Sequence, residues 1–368
     1  MMNNSEGRDL QQDWGARLVP VVCEQCDWRY LLPAGSPAQL CPNCFQQELA
    51  GLDPAGELEP YPYPPELVLP FTLDEDKLAQ AVVQFARNIP FAPKDLNPAL
   101  LKQRLRRVYV PAWLVDAQVT AQFQAEVGFD YQAVSHREKY AGSSWQTQEV
   151  QETRIRWEPR VGRLQRPYQN VPAPALEVES RLQRRLGEFD QARAVAYEPV
   201  LLGQTFVHLP NRQPADAWSE ALPGFQARAA EECRLAAEAQ HIRDFRWSAA
   251  FAGQNWAQWL RPVYSTFYLD DEGRPRPVLV HGQSGRIDGE RRASRRRAQT
   301  AAMWIGGFGV GLFVLAVLLG LAAYSLSSSL LALLAVLMVV LAFVLVAGAL
   351  IPPLVVWRFN RRQAQRPE

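Results

Sequence analysis

Four cysteines fall into two pairs, "CEQC" at Cys23–Cys26 and "CPNC" at Cys41–Cys44, with fourteen residues between them. A C-x-x-C turn presents two thiolates to one ion, and two such turns supply the four sulfurs of a tetrahedral zinc site. Cys23, Cys26, Cys41 and Cys44 are therefore the expected metal ligands, one zinc per chain. The same four thiolates hold iron in a rubredoxin-like site, which is the rival reading. Two disulfides suit a reducing cytosol poorly. Nothing around either pair resembles the βαβ unit of a thioredoxin-like redox motif. Cys233 lies alone in "AAEECRLAAEAQ" and reads as a buried helix thiol.

The flanking residues supply what must position these ligands. "LVPVV" enters the first pair as an apolar strand, "DWRYLL" leaves it, and "PAGSPAQ" turns the chain back. This outlines a zinc ribbon over residues 19–50. Some thirty residues cannot bury a sufficient core, and ligation in small zinc sites supplies about 10–16 kcal/mol. Residues 1–18 are expected to be disordered. Residues 51–70, "GLDPAGELEPYPYPPELVLP", read as a proline-rich linker. That linker is expected to separate the ribbon's core from the rest, so that loss of a cysteine spares the body. The ribbon carries Arg29 against Glu24, Asp27 and Glu48, a net of −2 and a poor footprint for phosphates. Trp28 and Tyr30 either stack on bases or pack against the cysteine turns.

The other terminus speaks of a membrane. Five arginines lie between Arg291 and Arg297, after which residues 298–357 contain no Asp, Glu, Lys, Arg or His. A bilayer core takes roughly 20 helical residues, so this stretch predicts two helices. They are expected at about 304–326 and 330–357, joined at "SLSSS", with Trp304 and Trp357 at one interface and Tyr324 at the other. A buried hairpin of a soluble protein is the alternative. Arg358, Arg361, Arg362 and Arg366 follow the apolar stretch. Arginine excess marks the cytoplasmic side, so both termini are expected there, at the inner cell membrane, with anionic lipid headgroups as contacts of the arginines. The N-terminus "MMNNSEGRDLQQDWG" has no apolar core and does not read as a signal peptide. Residues 291–368 carry a net +8, which leaves residues 1–290 at −7. Such an acidic body makes nucleic acid an unfavoured partner. Gly307 and Gly311 form a G-x-x-x-G step, expected to pack within the hairpin, with dimerisation as the alternative.

Between ribbon and anchor, residues 71–290 read as an α+β body with mostly antiparallel sheet. "TLDE" at Thr72–Glu75 fits a capping box, and Asn97-Pro98 starts a second helix. Strand-like runs follow from Val108, at "EVQETRIRWEPRVG" and at "RLQRPYQNVPAP". Two helical stretches come next, the longer at about 225–240. Strands return at "IRDFRWSAAFAG", "WLRPVYSTFYLD" and "RPVLVHGQSGRIDG". Residues 105–117 and 260–272 share leucine, arginine, Val-Tyr, a later aromatic, leucine and aspartate in register. Either an internal duplication or chance accounts for that. "GQSGRIDG" is neither a Walker loop nor a nucleophile elbow and suits a hairpin turn. His136, His208, His241 and His281 show no metal spacing, and no pair of acids is nominated for acid–base work by spacing alone.

The four-cysteine ribbon, "YVPAWLVDA", "VLVHGQSGRIDGE" and the C-terminal hydrophobic hairpin occur in that order. In this the chain resembles a family of bacterial zinc-ribbon membrane proteins, loosely labelled transcription-factor-IIB-type zinc-ribbon or helicase-like. The resemblance covers nearly the whole chain and implies no established activity. It implies membrane-stress proteins of the phage-shock and band-7 types as partners. The family's late motif has an asparagine where this chain has His281. Together these readings point to a membrane-tethered cytoplasmic adaptor that recruits protein partners. A membrane-anchored nucleic-acid binder and an enzyme with a pocket in the body are the alternatives.

Overall fold

The computed structural model describes residues 10–52, 63–141 and 144–365. The fold is α+β around a mixed sheet. Helix α1 (Leu10–Trp14) precedes β1 (Leu18–Val22), β2 (Arg29–Pro33) and β3 (Ala50–Gly51). β4 (Leu67–Val68) and helices α2 (Glu75–Ala86) and α3 (Pro98–Gln103) lead to the two longest strands, β5 (Arg106–Ala141) and β6 (Ser144–Ala173). Then come α4 (Glu179–Leu186), β7 (Val195–Ala196), β8 (Phe206–His208) and α5 (Pro214–Ala236). β9 (His241–Leu269), β10 (Pro275–His281) and β11 (Ile287–Gly289) complete the sheet. Its order is β11-β10-β9-β5-β8-β2-β1-β3, with β6 also on β5 and β4 on β9. Most pairs are antiparallel; β5 with β8 and β4 with β9 are parallel.

The strand-like runs from Val108 onward merge. Runs read as separate strands on each side of Gly162 form the single β6, and those on each side of Gly253 form the single β9. β5 and β6 make one hairpin whose last section, beyond the end of β9 at Gly128, projects as two strands over ~45 Å. Bulges near Asp116 and Gln124 adjust the pairing of β5 with β9. At the first, the Asp116 carboxylate accepts the N–H of Asn170, which sits at φ 54°. Before the projection, α5 covers one face of the three strands. Ala217, Ala221, Phe225 and Ala229, four apart, bury against Val115, Val119, Tyr168 and Val171.

Several boundaries differ from expectation. Residues 10–18 are ordered, because Trp14 is fully buried and its carbonyl accepts from the Tyr197 hydroxyl at 2.7 Å; residues 1–9 lie outside the described residues. The linker ends belong to the sheet, since Gly51 pairs with Val21 and Leu67 with Trp259, while residues 53–62 lie outside the described residues. Thr72 does not cap α2. Leu73 is still bound into the sheet's edge through Gly282, so the helix starts later, and Asp74 accepts from the N–H of Asp76. Asn97 does cap α3, with Pro98 in its first turn. "GQSG" makes the expected turn between β10 and β11, closed by the His281 N–H to Arg286 carbonyl bond.

The look-alike segments 105–117 and 260–272 turn out to be paired partners. Val108 faces Val263 across β5 and β9, and the matching tyrosines Tyr109 and Tyr264 lie 5.0 and 4.9 Å from the Phe71 ring. Beside them, Arg261 is held by Glu179 through two bonds of 2.5 and 2.7 Å, with a third to the Pro111 carbonyl. Both charged side chains are almost fully buried.

At the C-terminal end, α6 (Arg295–Ser325) and α7 (Ser329–Gly348) form a hairpin, followed by α8 (Ile351–Ala364). Arg295–Ser325, and Ser329–Ala364 with α7 and α8 taken together, are long and apolar enough to cross a membrane. The predicted single helix 330–357 is interrupted near Ala349–Leu350, because Pro352 and Pro353 cannot donate back to the preceding turn. The hairpin's contact uses small residues seven apart, Gly309, Ala316 and Ala323 on α6 and Ala335 and Ala342 on α7. Packing within the hairpin is thus observed, but not through the expected glycines. A Cβ on Gly307 or Gly311 would meet nothing, whereas one on Gly309 would lie 3.0 Å from Val346 and 3.2 Å from the Ala342 carbonyl.

Two outcomes follow from this packing. Gly309→Leu should splay α6 from α7 and lower the unfolding midpoint in detergent by several degrees, whereas Gly307→Leu should leave it unchanged. Glu179→Ala strips the buried Arg261 of its counter-charge and should cost about 3–5 kcal/mol in denaturant titration. A loss below 1 kcal/mol would mean that water reaches the guanidinium.

Candidate metal centre

The sequence places two cysteine turns at the ends of β1 and β2, and the fold brings them together. Cys23 Sγ lies 3.5 Å from Cys44 Sγ, and Cys26 Sγ lies 3.7 Å from Cys41 Sγ. All four sulfurs fall within 4.8 Å of one another. Around a tetrahedral ion with sulfur–metal bonds of about 2.3 Å, neighbouring sulfurs sit about 3.8 Å apart. The four side chains therefore fit one thiophilic metal ion, and among the described residues they form the one such ligand group.

Each turn is built the same way. Asp27 N–H donates to the Cys23 carbonyl at 2.8 Å, and Phe45 N–H donates to the Cys41 carbonyl at 3.0 Å. The residue after the second cysteine is left-handed in both, Asp27 at φ 56° and Phe45 at φ 54°. That conformation costs a non-glycine residue about 1–2 kcal/mol, so something must hold it. For Phe45 the holder is visible: its ring stacks on Phe267 of β9 at 4.5 Å. Asn43 reaches both turns. Its backbone N–H points at Cys41 Sγ (3.4 Å) and its side-chain amide at Cys26 Sγ (3.6 Å). Donors to sulfur stabilise thiolate charge, which metal binding requires. Without metal, the hydrogen bond from Cys41 pulls Cys26 down to about 5, and the same bond, with burial, pushes the Cys41 thiol up.

The cysteine turns are not a separate module. β2 pairs with β8, Tyr30 opposite His208. Cys23, Tyr30 and Cys41 share one buried cluster with Val108, Val110, Leu176, Phe206 and Val263 of the body. Ser265 of β9 donates its hydroxyl to the Pro42 carbonyl at 2.6 Å. The expectation of separate cores across the linker therefore fails, because the ribbon supplies strands to the body's own sheet. Trp28 and Tyr30 are committed to the same packing. Their rings lie 4.3 and 5.1 Å from His208, and Tyr30 is fully buried.

The remaining sequence candidates disperse. His281 is a structural imidazole. Its Nε2 bonds the Glu188 carbonyl, its Nδ1 accepts the N–H groups of Gln283 and Ser284, and its ring stacks on Phe189 at 3.9 Å. Burial holds its pKa below the usual histidine range. His136 and His241 lie on exposed strand pairs with Glu149 and Asp130. His208 is buried and pushed down to about 3 by desolvation. Cys233 stands apart on α5, its thiol raised by burial. Asn43, within the second turn, was readable as a neighbour of the ligands. Phe206, Ser265 and Phe267 were not, since they lie more than 160 residues from the cysteines.

Because the metal turns are continuous with the body, Cys41→Ser should do more than abolish metal binding. Elemental analysis should find one metal per wild-type chain and none in the variant. Hydrogen exchange should speed up in β8 and in β9 around Ser265 as well as in β1 and β2. Exchange confined to residues 18–51 would restore the picture of an independent ribbon.

Searches against protein-family models, curated proteins and solved structures found no match to this chain. The reading of the centre therefore rests on four converging thiolates set into the sheet of a body that ends in two membrane-length helices.

Proposed function

We propose that this protein is a membrane-anchored adaptor whose zinc-bound ribbon stiffens one edge of a cytoplasmic platform for protein partners. The observation that carries it is the sheet order. The strands that frame the cysteine turns, β1 and β3, end the sheet on one side, and β10 and β11 end it on the other, beside the base of the apolar hairpin. Zinc is the preferred ion because four thiolates in a closed tetrahedral set suit a structural zinc site, with no position left for chemistry. Iron is the outcome to exclude by elemental analysis. The α6–α7 hairpin supports insertion: its outer residues, among them Phe308, Leu318, Leu337 and Phe343, are exposed apolar side chains that water would disfavour. Arginine on both flanks supports cytoplasmic placement of both ends. The net charge of −7 over residues 1–290 supports protein partners over nucleic acid. Partners of the phage-shock and band-7 types, implied by the family resemblance, are the first to test.

The test uses the whole chain in nanodiscs of zwitterionic lipid, because Ala293, Ala298 and Val356 belong to the same buried cluster as Val82, Phe85 and Tyr268. We expect no retardation of DNA or RNA at physiological salt. Purified partners of the two stress types should bind wild type and lose affinity to Cys41→Ser. Reporters fused after residue 290 and at residue 368 should both act as cytoplasmic. Micromolar, salt-sensitive binding to DNA or RNA would replace the adaptor with a membrane-anchored nucleic-acid binder.

A further inference from the structure

We propose that the cleft between the start of α6 and the end of α8 binds the phosphate of one anionic lipid through Arg295 and Arg361. The proposal rests on the membrane reading above and gives it a defined ligand site. The cleft is a cavity of about 300 Å³ lined by Arg292, Arg295, Trp357, Asn360, Arg361 and the acidic turn after β9.

The charges in this cleft are mostly matched. Asp270 holds Arg276 at 2.6 Å, and Glu272 holds Arg274 at 3.1 Å. Glu290 holds Arg276 at 2.9 Å and Arg292 at 2.5 Å. Asp271 accepts the backbone N–H of Arg296 at 3.0 Å. Among the described residues, Arg295 and Arg361 have no carboxylate within ion-pair distance, although both line the same cavity. Arg361 lies over the Trp357 ring at 5.2 Å, a contact that orients the guanidinium and leaves its charge unneutralised.

A second observation points to an anion. Arg295, Arg296 and Arg297 occupy the first turn of α6, where the helix dipole is positive and disfavours cations. Asp271 meets one N–H of that turn, and a further anion beside Arg295 would offset the arginine charge that remains. The backbones that carry the two arginines are tied together, because Asn360 bonds the backbone of Ala293 in both directions, at 2.8 and 3.0 Å. Guanidiniums rising from the two helix ends into one cleft can each form two-pronged bonds to phosphate oxygens. Depth selects the source. Trp357 is the last residue of the charge-free stretch, so the cleft opens where an interfacial tryptophan sits, at headgroup level. Exposed Leu354 and Val355 beside it continue the apolar surface that acyl chains would cover.

The experiment is native mass spectrometry of the full chain in mild detergent, titrated with phosphatidylglycerol or phosphatidylcholine. Wild type should retain one phosphatidylglycerol in preference to phosphatidylcholine. The variant R295Q/R361Q should lose that preference by on the order of tenfold, the scale of lost charge-assisted bonds. R358Q/R362Q, which removes the same charge from α8 outside the cleft, should keep it. An unchanged unfolding midpoint in R295Q/R361Q establishes that the loss is local. If that midpoint falls, the single variants Arg295→Gln and Arg361→Gln must each lower the preference with wild-type stability. Equal retention of both lipids by wild type, or retained preference in R295Q/R361Q, would overturn the site. Displacement of phosphatidylglycerol by millimolar inorganic phosphate would assign the cleft to a free phosphate compound instead. Recovery of the chain in the soluble fraction without detergent would overturn the membrane reading itself, a result distinct from a membrane-bound chain with no lipid preference.

Discussion

The pairing of β5 with β9 is the interaction on which the rest depends. It runs from Arg106 opposite Ser265 to Gly128 opposite His241, and every other strand of the sheet attaches to these two, directly or through a neighbour. β8 joins β5 and carries the metal-binding strands; β10 joins β9 and carries the turn that leads to the hairpin. β6 adds to β5 and builds the projecting arm. The residues that make the pairing are separated by more than a hundred positions, so loop closure must be overcome before it forms. What offsets that cost is burial on both faces near the crossing, where Val108, Tyr109, Leu114, Leu260 and Val263 are all within the core.

The same pairing explains the look-alike segments. Residues 105–117 and 260–272 occupy neighbouring antiparallel strands, so equivalent side chains meet equivalent surroundings. Tyr109 and Tyr264 enclose Phe71, and Val108 and Val263 face each other across the pair. Similar demands at paired positions suffice to favour similar residues. The shared arginine differs in its setting, since Arg106 is exposed and Arg261 is buried. Its buried ion pair with Glu179 ties α4 to the crossing, a fixed contact where a less specific apolar pair would leave α4 free to slide.

How much of this was legible differs by the physics involved. The cysteine site was readable because metal chemistry fixes ligand type and spacing within one short stretch. The hairpin was readable because sixty residues without a charge have few other uses. The long strands were legible only in pieces. Gln118, Thr120, Gln122 and Gln124 are exposed along β5 and alternate with buried neighbours, which reads as strand, but Pro159 and Pro167 in β6 divide the pattern into separate runs. The prolines are tolerated because β6 pairs on one side only. The joining of ribbon to body was hidden for a different reason: its seam is β8, three residues long, too short to carry a period. In the hairpin, G-x-x-x-G at Gly307 drew the eye, but the seven-residue repeat of Gly309, Ala316 and Ala323 sets the contact.

The topology links the four-cysteine cluster to the apolar hairpin. Cys41 is buried with Val263, and two residues further along β9 Ser265 binds the Pro42 carbonyl. Three residues beyond that, Tyr268 donates to the Glu290 carbonyl and accepts the N–H of Arg292, at the root of α6. A single strand segment, 263–268, thus touches the second cysteine turn at one end and the hairpin's base at the other. Packed strands transmit displacement because interiors are as dense as crystals and do not absorb it. The Phe45–Phe267 stack and the Pro42–Ser265 bond both join the second cysteine turn to this segment. The ribbon is therefore better understood as a clamp on the strand that seats the hairpin than as an appendage at the far end of the chain.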